Sequence, residues 1–313
     1  MNIQNKYEYV KIDGHYKFLV DGKDGSEQEG QSFYKYYSIE NYNVDALANL
    51  YIYATHPCQL NDPLDCAEKL IKFDSEECAR IFWDKIYPSV AEYCQNKQES
   101  IMKFTQKAYK TFLYTKWGVL SLSKKWDDVS MWSAYCNHKG FCAELDIFGF
   151  PFNTTGPFHV NYHESLTPIS IKENSLQIAT IYQTNVKLKC WEHEDEWRLL
   201  IENPLGVDLE PFGEWSTAIK QELPDYHNRK YKYPISCLKS VTLGEKFFNG
   251  MHEVISDYEI EIIATEELQN KVLTFLALSR VPTYWLRVED LHIYRLPITI
   301  CKIREDAYRI SFY

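Results

Sequence analysis

Apolar and polar positions between Gly118 and Asp146 predict three short elements in a row. GVLSLS reads as a strand over Gly118–Ser123, and after a polar loop the aromatic run Val129–Tyr135 reads as a helix. Gly140–Asp146 reads as a second strand. Upstream, the bulk of Phe33, Tyr34, Lys35, Tyr36 and Tyr37 predicts a strand. Ser38–Asn43 supplies turn and capping residues for a helix at Val44–Leu50, and Tyr51–Thr55 follows as a strand. Pro57 and Pro63 then bar regular pairing through HPCQLNDPLDC, a loop whose Asx side chains can satisfy local backbone donors.

From residue 74 to residue 114 the spacing changes to threes and fours, with Ile101, Phe104, Ala108 and Phe112 on one stripe and a break at Pro88. Further on, Val160–Tyr162 predicts a strand, Leu176–Gln183 a helix, and Trp197–Ile201 an apolar strand entered through Glu192, Glu194 and Glu196. Strands at Val241–Gly244 and Ile260–Ala264 flank a helix expected over Met251–Tyr258. The tail carries a helix at Leu273–Ser279 and strands at Leu291–Arg295 and Tyr308–Phe312. Together these elements predict an α+β fold with a split, mostly antiparallel sheet surrounded by helices. A polar N-terminal extension spans residues 1–31, with DGKDGSEQEGQ as an exposed turn. The main domain spans 32–268 with a helical insertion at about 74–114, and a C-terminal extension packed on it spans 269–313.

Composition narrows the partners. A net charge of -10 gives no general attraction to a phosphate backbone, and Arg229–Tyr233, basic and aromatic in alternation, reads first as an exposed-face strand. Nine cysteines without a CxxC pair fit reduced thiols, and no apolar run approaches membrane length, so a cytoplasmic protein without a membrane partner is expected. The 24 tyrosines serve half-buried sheets and pocket walls equally well, so they do not choose between those uses.

Four groups of residues carry candidate chemistry. Glu194 and Glu196 stand two apart and would share a strand face, which suits a pair of acids; the structural alternative is a solvated strand end paired with Arg198. Ser121 and Ser123 share a face and either bind a ligand or bond backbone. Trp132 and Tyr135 are neighbours on one helix and either stack on a planar ring or pack as core. Asn61, Asp62 and Asp65 gather polar groups in the proline-marked loop. An oxygen-ligand metal site drawn from Asp62, Asp65, Glu144 or Asp146 with Glu194 would serve a nuclease or phosphoesterase, but no metal motif fixes it and no metal is predicted. Cys136 and His138 lack a third orienting group, and Gly244-Glu-Lys lacks the glycine-rich loop of a phosphate cradle.

Taken in order, Tyr34-Lys35-Tyr36, Asn61-Asp62-Pro63-Leu64-Asp65, Ser121-Leu122-Ser123, Met131-Trp132-Ser133-Ala134-Tyr135, Lys139-Gly140 and Trp191-Glu192-His193-Glu194-Asp195-Glu196-Trp197-Arg198 resemble an uncharacterised bacterial and phage domain family, over about Phe33–Gly244. That family in turn is similar to ADP-ribosyltransferase-like folds such as nucleic-acid-modifying toxins and the diphtheria-toxin-like group. The resemblance implies NAD as the candidate cofactor and a transferase or glycohydrolase acting at a ribose, in a toxin or antiphage defence effector. It also implies catalytic roles for Glu196, Glu194, Ser123 and Tyr36. Lys35, Ser121, Trp132, Tyr135, Arg198, Asn61, Asp62 and Asp65 would bind the nucleotide-like ligand, and the protein or nucleic-acid target is left open. The first strand departs from the pattern, carrying Lys35 and Tyr36 where the enzymes carry His or Arg. A non-catalytic nucleotide sensor or interaction module is the alternative from a different class.

Overall fold

The aromatic and β-branched runs assemble into one sheet of eleven strands in the computed structural model, which describes residues 7–12, 15–20, 23–24, 32–57, 60–86, 88–105, 117–172, 176–202 and 229–313. Numbered along the chain, its strands are β1 (Phe33–Tyr37), β2 (Trp117–Ser123), β3 (Phe141–Leu145), β4 (Thr154–His159), β5 (Glu196–Glu202), β6 (Leu238–Leu243), β7 (His252–Ser256), β8 (Glu259–Ile263), β9 (Thr283–Glu289), β10 (His292–Lys302) and β11 (Ala307–Phe312). Across the sheet the order is β7-β8-β11-β10-β9-β6-β3-β1-β2-β5-β4. β6 and β9 run parallel; the other neighbours are antiparallel.

The expected α+β class and mostly antiparallel sheet are present. In place of a split there is a sparse seam: β1 and β2 register at one pair, Tyr34–Ser123, whereas β2 and β5 register from Ser123–Glu196 to Trp117–Glu202. That seam lies beside the candidate site.

Period-two alternation decides what each face buries. Leu120 and Leu122 of β2, with Leu199 and Ile201 of β5, belong to the main core. Helices α1 (Asn41–Ala48) and α6 (Glu267–Ser279) add Val44, Leu47, Val272, Leu273 and Leu276 to it. On the other face Val119 and Leu200 pack with Ile178 and Ile181 of α5 (Leu176–Thr184). Helix α4 (Val129–Cys136) lies on the same side, its Trp132 and Cys136 packed with Tyr36 and Cys142. Asp128 starts α4 by accepting the Ser130 and Met131 N–H groups at 2.9 and 3.2 Å, and Asn137 ends it in the left-handed region.

The helical insertion forms its own small core. α2 (Glu76–Ile86) and α3 (Val90–Asn96) flank the break at Pro88 and bury Phe82, Trp83 and Val90 with Ile101, Phe104 and Ala179. Ala108 and Phe112, expected on the same stripe, lie outside the described residues, as does most of the expected N-terminal turn. The segments Tyr7–Ile12, His15–Val20 and Lys23–Asp24 form a separate three-stranded sheet.

Several expected elements are corrected. Met251–Tyr258 is not a helix: β7 pairs antiparallel with β8 across the turn at Asp257 and Tyr258. The strand expected at Val160–Tyr162 is Asn161–His163, paired parallel to Val186–Leu188, and β4 precedes it. The strand expected at Leu291–Arg295 extends through β10, and β9 was not foreseen; both join the main sheet because each finds an open backbone edge to pair with. Lys230–Lys232 pairs with Tyr51–Tyr53, with both lysines exposed and Tyr231 buried between them, as expected of a half-exposed strand. Among the described residues no helix is long and apolar enough to cross a membrane.

Candidate functional site

The site starts where one face of two paired strands changes character. Along β2 that face runs Val119, Ser121, Ser123; along β5 the residues registered with them are Leu200, Arg198 and Glu196. Helix α5 covers the apolar end, and the polar end is left to line a cleft of about 210 Å³.

Arg198 anchors the polar end. It is 1% exposed and every N–H of its guanidinium is used. Nη1 and Nη2 donate to Asp65 Oδ1 and Oδ2 at 2.7 and 2.5 Å. Nε donates to Glu196 Oε1 at 2.8 Å and Nη2 also to Glu196 Oε2 at 3.0 Å. Nη1 further donates to the Thr184 carbonyl, in the last turn of α5, at 2.7 Å. The sequence alternative of a solvated Glu196–Arg198 surface pair is thereby corrected, because α5 and the Asn61–Asp65 loop close over the strand end.

Lys187 extends the network. Its Nζ donates to Glu194 Oε2 at 2.6 Å and Glu196 Oε2 at 3.2 Å, and lies 3.9 Å from Asp65 Oδ2. The Tyr135 hydroxyl closes the chain on Glu194 Oε1. Glu194 does not reach this point by strand alternation. It ends the 3-10 segment Lys189–Glu194, and Asp195 in the left-handed region (φ 45°) turns the chain so that Glu194 and Glu196 meet on one ammonium.

These contacts set the charge states. Burial alone would raise the Glu196 carboxyl, but Arg198 and Lys187 outweigh it and hold it down at about 2. Burial likewise opposes the charge on Lys187, and the Glu196 and Glu194 carboxylates overcome it, so its ammonium is held above the ordinary range. The Tyr135 phenol is pushed up by burial and by its bond to Glu194. Lys35 is different. Burial lowers it to about 8 against an opposing pull from Glu196, its Nζ donates to the Ser121 carbonyl at 3.3 Å, and among the described residues it forms no ion pair.

Ten of the twelve residues singled out from the sequence line this cleft: Lys35, Tyr36, Asn61, Asp65, Ser121, Ser123, Tyr135, Glu194, Glu196 and Arg198. Two do not. Trp132 is wholly buried, donates Nε1 to the Trp126 carbonyl at 2.7 Å and packs edge-on to Tyr36, which leaves no face for a ligand ring. Asp62 turns to the neighbouring groove, where Oδ1 accepts the Leu64 N–H at 2.9 Å. Tyr36 lines the cleft, but its hydroxyl already donates to the Lys125 carbonyl at 2.7 Å. Ser123 Oγ accepts the Lys125 N–H at 3.1 Å, and its own O–H remains a donor.

The metal grouping considered from sequence does not assemble. Glu144 accepts from Ser32, Ser240 and Arg295, and Asp146 pairs with Lys239, while Asp65 and Glu194 are held by Arg198 and Lys187. Among the described residues no cluster of three or more His, Cys, Asp or Glu side chains is arranged to hold a metal ion.

Lys187 was missed in the sequence, as was Leu60, while Tyr34, Leu122 and Met131 on the walls stand inside the quoted motifs without an assigned role of their own. One signal was available: a lysine between Val186 and Leu188 in a short strand, followed seven and nine residues later by two acids. No protein-family profile, curated protein or solved structure matches this chain.

Proposed function

We propose that this cleft binds a nucleotide-like ligand, with NAD the candidate, and that the protein transfers or hydrolyses at the ribose. The observation that carries the reading is convergence. Residues chosen for their chemistry from β1, the Asn61–Asp65 loop, β2, α4 and the Glu194–Arg198 segment line one small cleft.

Electrostatics supports the same reading. Asp65, Glu194 and Glu196 face Arg198 and Lys187 in the network, and with Lys35 the cleft holds three acids and three bases, so the acids act by their placement and not by an excess of charge. Bound NAD would supply a glycosidic bond whose cleavage leaves positive charge on the ribose, and a buried, pre-oriented negative charge favours that change. Of the two acids, Glu194 has more capacity to spare. Glu196 accepts twice from Arg198 and once from Lys187, which leaves it one open lone-pair site. Glu194 accepts from Lys187 and Tyr135 alone among the described residues. Tyr135 is 38% exposed, so its phenol can swing off Oε1 and leave that oxygen to take a ribose hydroxyl or the proton of an incoming acceptor. Glu196 then acts as a positioning residue that holds Lys187 and Arg198.

The engagement of Glu196 by Arg198 and Lys187 favours a second reading, a sensor that binds the ligand without turnover. Incubation with NAD separates the two. The enzyme releases nicotinamide, whereas a sensor shows a raised Tm with no product. A toxin or antiphage role rests on the motif resemblance alone.

A further inference from the structure

The 210 Å³ cleft is smaller than the range that encloses a whole ligand of nucleotide size. Leu60 and Asp65 line it on one side and line a larger groove, of about 650 Å³, on the other. The two spaces lie on either side of the Asn61–Asp65 loop and differ in chemistry. The groove is walled by Leu60, Pro63, Leu64, Leu166, Pro168 and Leu188. Its charged residues are Asp62, Asp65, Glu68 and Glu164 against Lys69, an acidic balance that disfavours an anion there.

Among the cations lining the cleft, Lys35 has the most donors to spare. Arg198 has none left, and Lys187 spends two of its three on Glu194 and Glu196, whose carboxylates flank the third. Lys35 has three N–H donors and uses one, on the Ser121 carbonyl. Its Cα belongs to the face that carries Phe33 and Tyr37 into the core, yet its Nζ reaches the cleft because β1 and β2 register at Tyr34–Ser123 alone. The seam in the sheet is what admits the ammonium.

From this geometry we infer that the cleft and the groove form one bipartite site, in which Lys35 binds a phosphate group and the Leu60–Leu166 groove holds the planar, uncharged base of the same ligand. This rests on the nucleotide-like ligand proposed above and adds which part lies where.

Calorimetric titration with three probes tests it without any turnover. Inorganic pyrophosphate reports the Lys35 half, adenosine the groove half, and ADP both. ADP should bind at least about tenfold more tightly than either fragment, because the second contact becomes intramolecular. Lys35→Met should weaken pyrophosphate and ADP by at least about tenfold and leave adenosine unchanged. Leu64→Ser, at a position 46% exposed and therefore tolerant of change, should weaken adenosine and ADP by about fivefold and leave pyrophosphate unchanged.

A measurement on the unaltered protein guards against variants that fail to fold. Adenosine should shift the methyl resonances of Leu64 and Leu166, and pyrophosphate should not. Equal ADP affinity in Lys35→Met, or methyl shifts at Leu64 and Leu166 with pyrophosphate instead of adenosine, overturns the bipartite site. ADP binding in the expected pattern without NAD consumption leaves the site standing and removes the chemistry. NAD consumption that is indifferent to Lys35→Met does the reverse.

Discussion

Arg198 grips Asp65 through two parallel N–H···O bonds, at 2.7 and 2.5 Å, although 133 positions separate them in the chain. The pair ties the Asn61–Asp65 loop to the start of β5 and so fixes the wall that the cleft shares with the groove. Both side chains are 1% exposed, so the pair is shielded from screening by salt, and removing one partner strands a buried charge. Asp65→Ala should cost about 3–5 kcal/mol in urea unfolding. Asp65→Ala combined with Arg198→Met should recover part of that loss, because no unpaired guanidinium remains.

Lys187 holds Glu194 and Glu196 together, so Lys187→Met should leave two buried carboxylates in mutual repulsion. The expected loss at neutral pH is about 3–5 kcal/mol. Lys187→Met combined with Glu194→Gln should recover part of that loss, because a single carboxylate then remains. A double variant no more stable than Lys187→Met would show that the repulsion is not the cause.

Glu196 itself imposes a pH window on the unaltered protein. Its folded value, about 2, lies below the ordinary 4.5, so the ionised form stabilises the fold above pH 4.5 and that contribution is lost as the pH falls from 4.5 through about 2. Glu196→Gln should flatten this part of the stability profile, which acid titration followed by circular dichroism would read.

Gly140 supplies a packing prediction at the corner between α4 and β3. A Cβ there would stand 2.0 Å from the Tyr37 carbonyl oxygen and 2.5 Å from Cys136 Cβ, so no side chain fits without moving β1. Gly140→Ala should destabilise by about 1–3 kcal/mol or more, and should disturb ligand affinity as well, since β1 carries Lys35. The Lys139-Gly140 motif thus has a structural cause, independent of chemistry.

Local patterning made the centre of the fold legible. The strand, helix, strand order from Gly118 to Asp146 emerges as β2, α4 and β3 with boundaries within a residue or so, because Asp128 and Asn137 cap the helix and alternation marks the strands. What local patterning could not decide was long-range pairing. Met251, Val254, Ile255 and Tyr258 satisfy helical spacing, yet the backbone of β8 offers β7 a partner edge, and the β-branched pair follows it. The candidate site divides in the same way. Acids and hydroxyls on β2 and β5 were readable from type and spacing, while Lys187 enters through a short parallel strand that no motif marks. Trp132 carried the same aromatic signal as Tyr135, and only its burial against Tyr36 separates the two.

Under the proposed function Glu194, poised between Lys187 and Tyr135, does the chemistry on a ligand in this cleft. Nicotinamide release from NAD, compared between the unaltered protein and Glu194→Gln, tests it most directly. The unaltered protein should release nicotinamide, and the variant should show a drop in kcat of about 10²–10³-fold with Tm retained. Release that continues undiminished in a folded Glu194→Gln protein, or no release by the unaltered protein at saturating NAD, would contradict it.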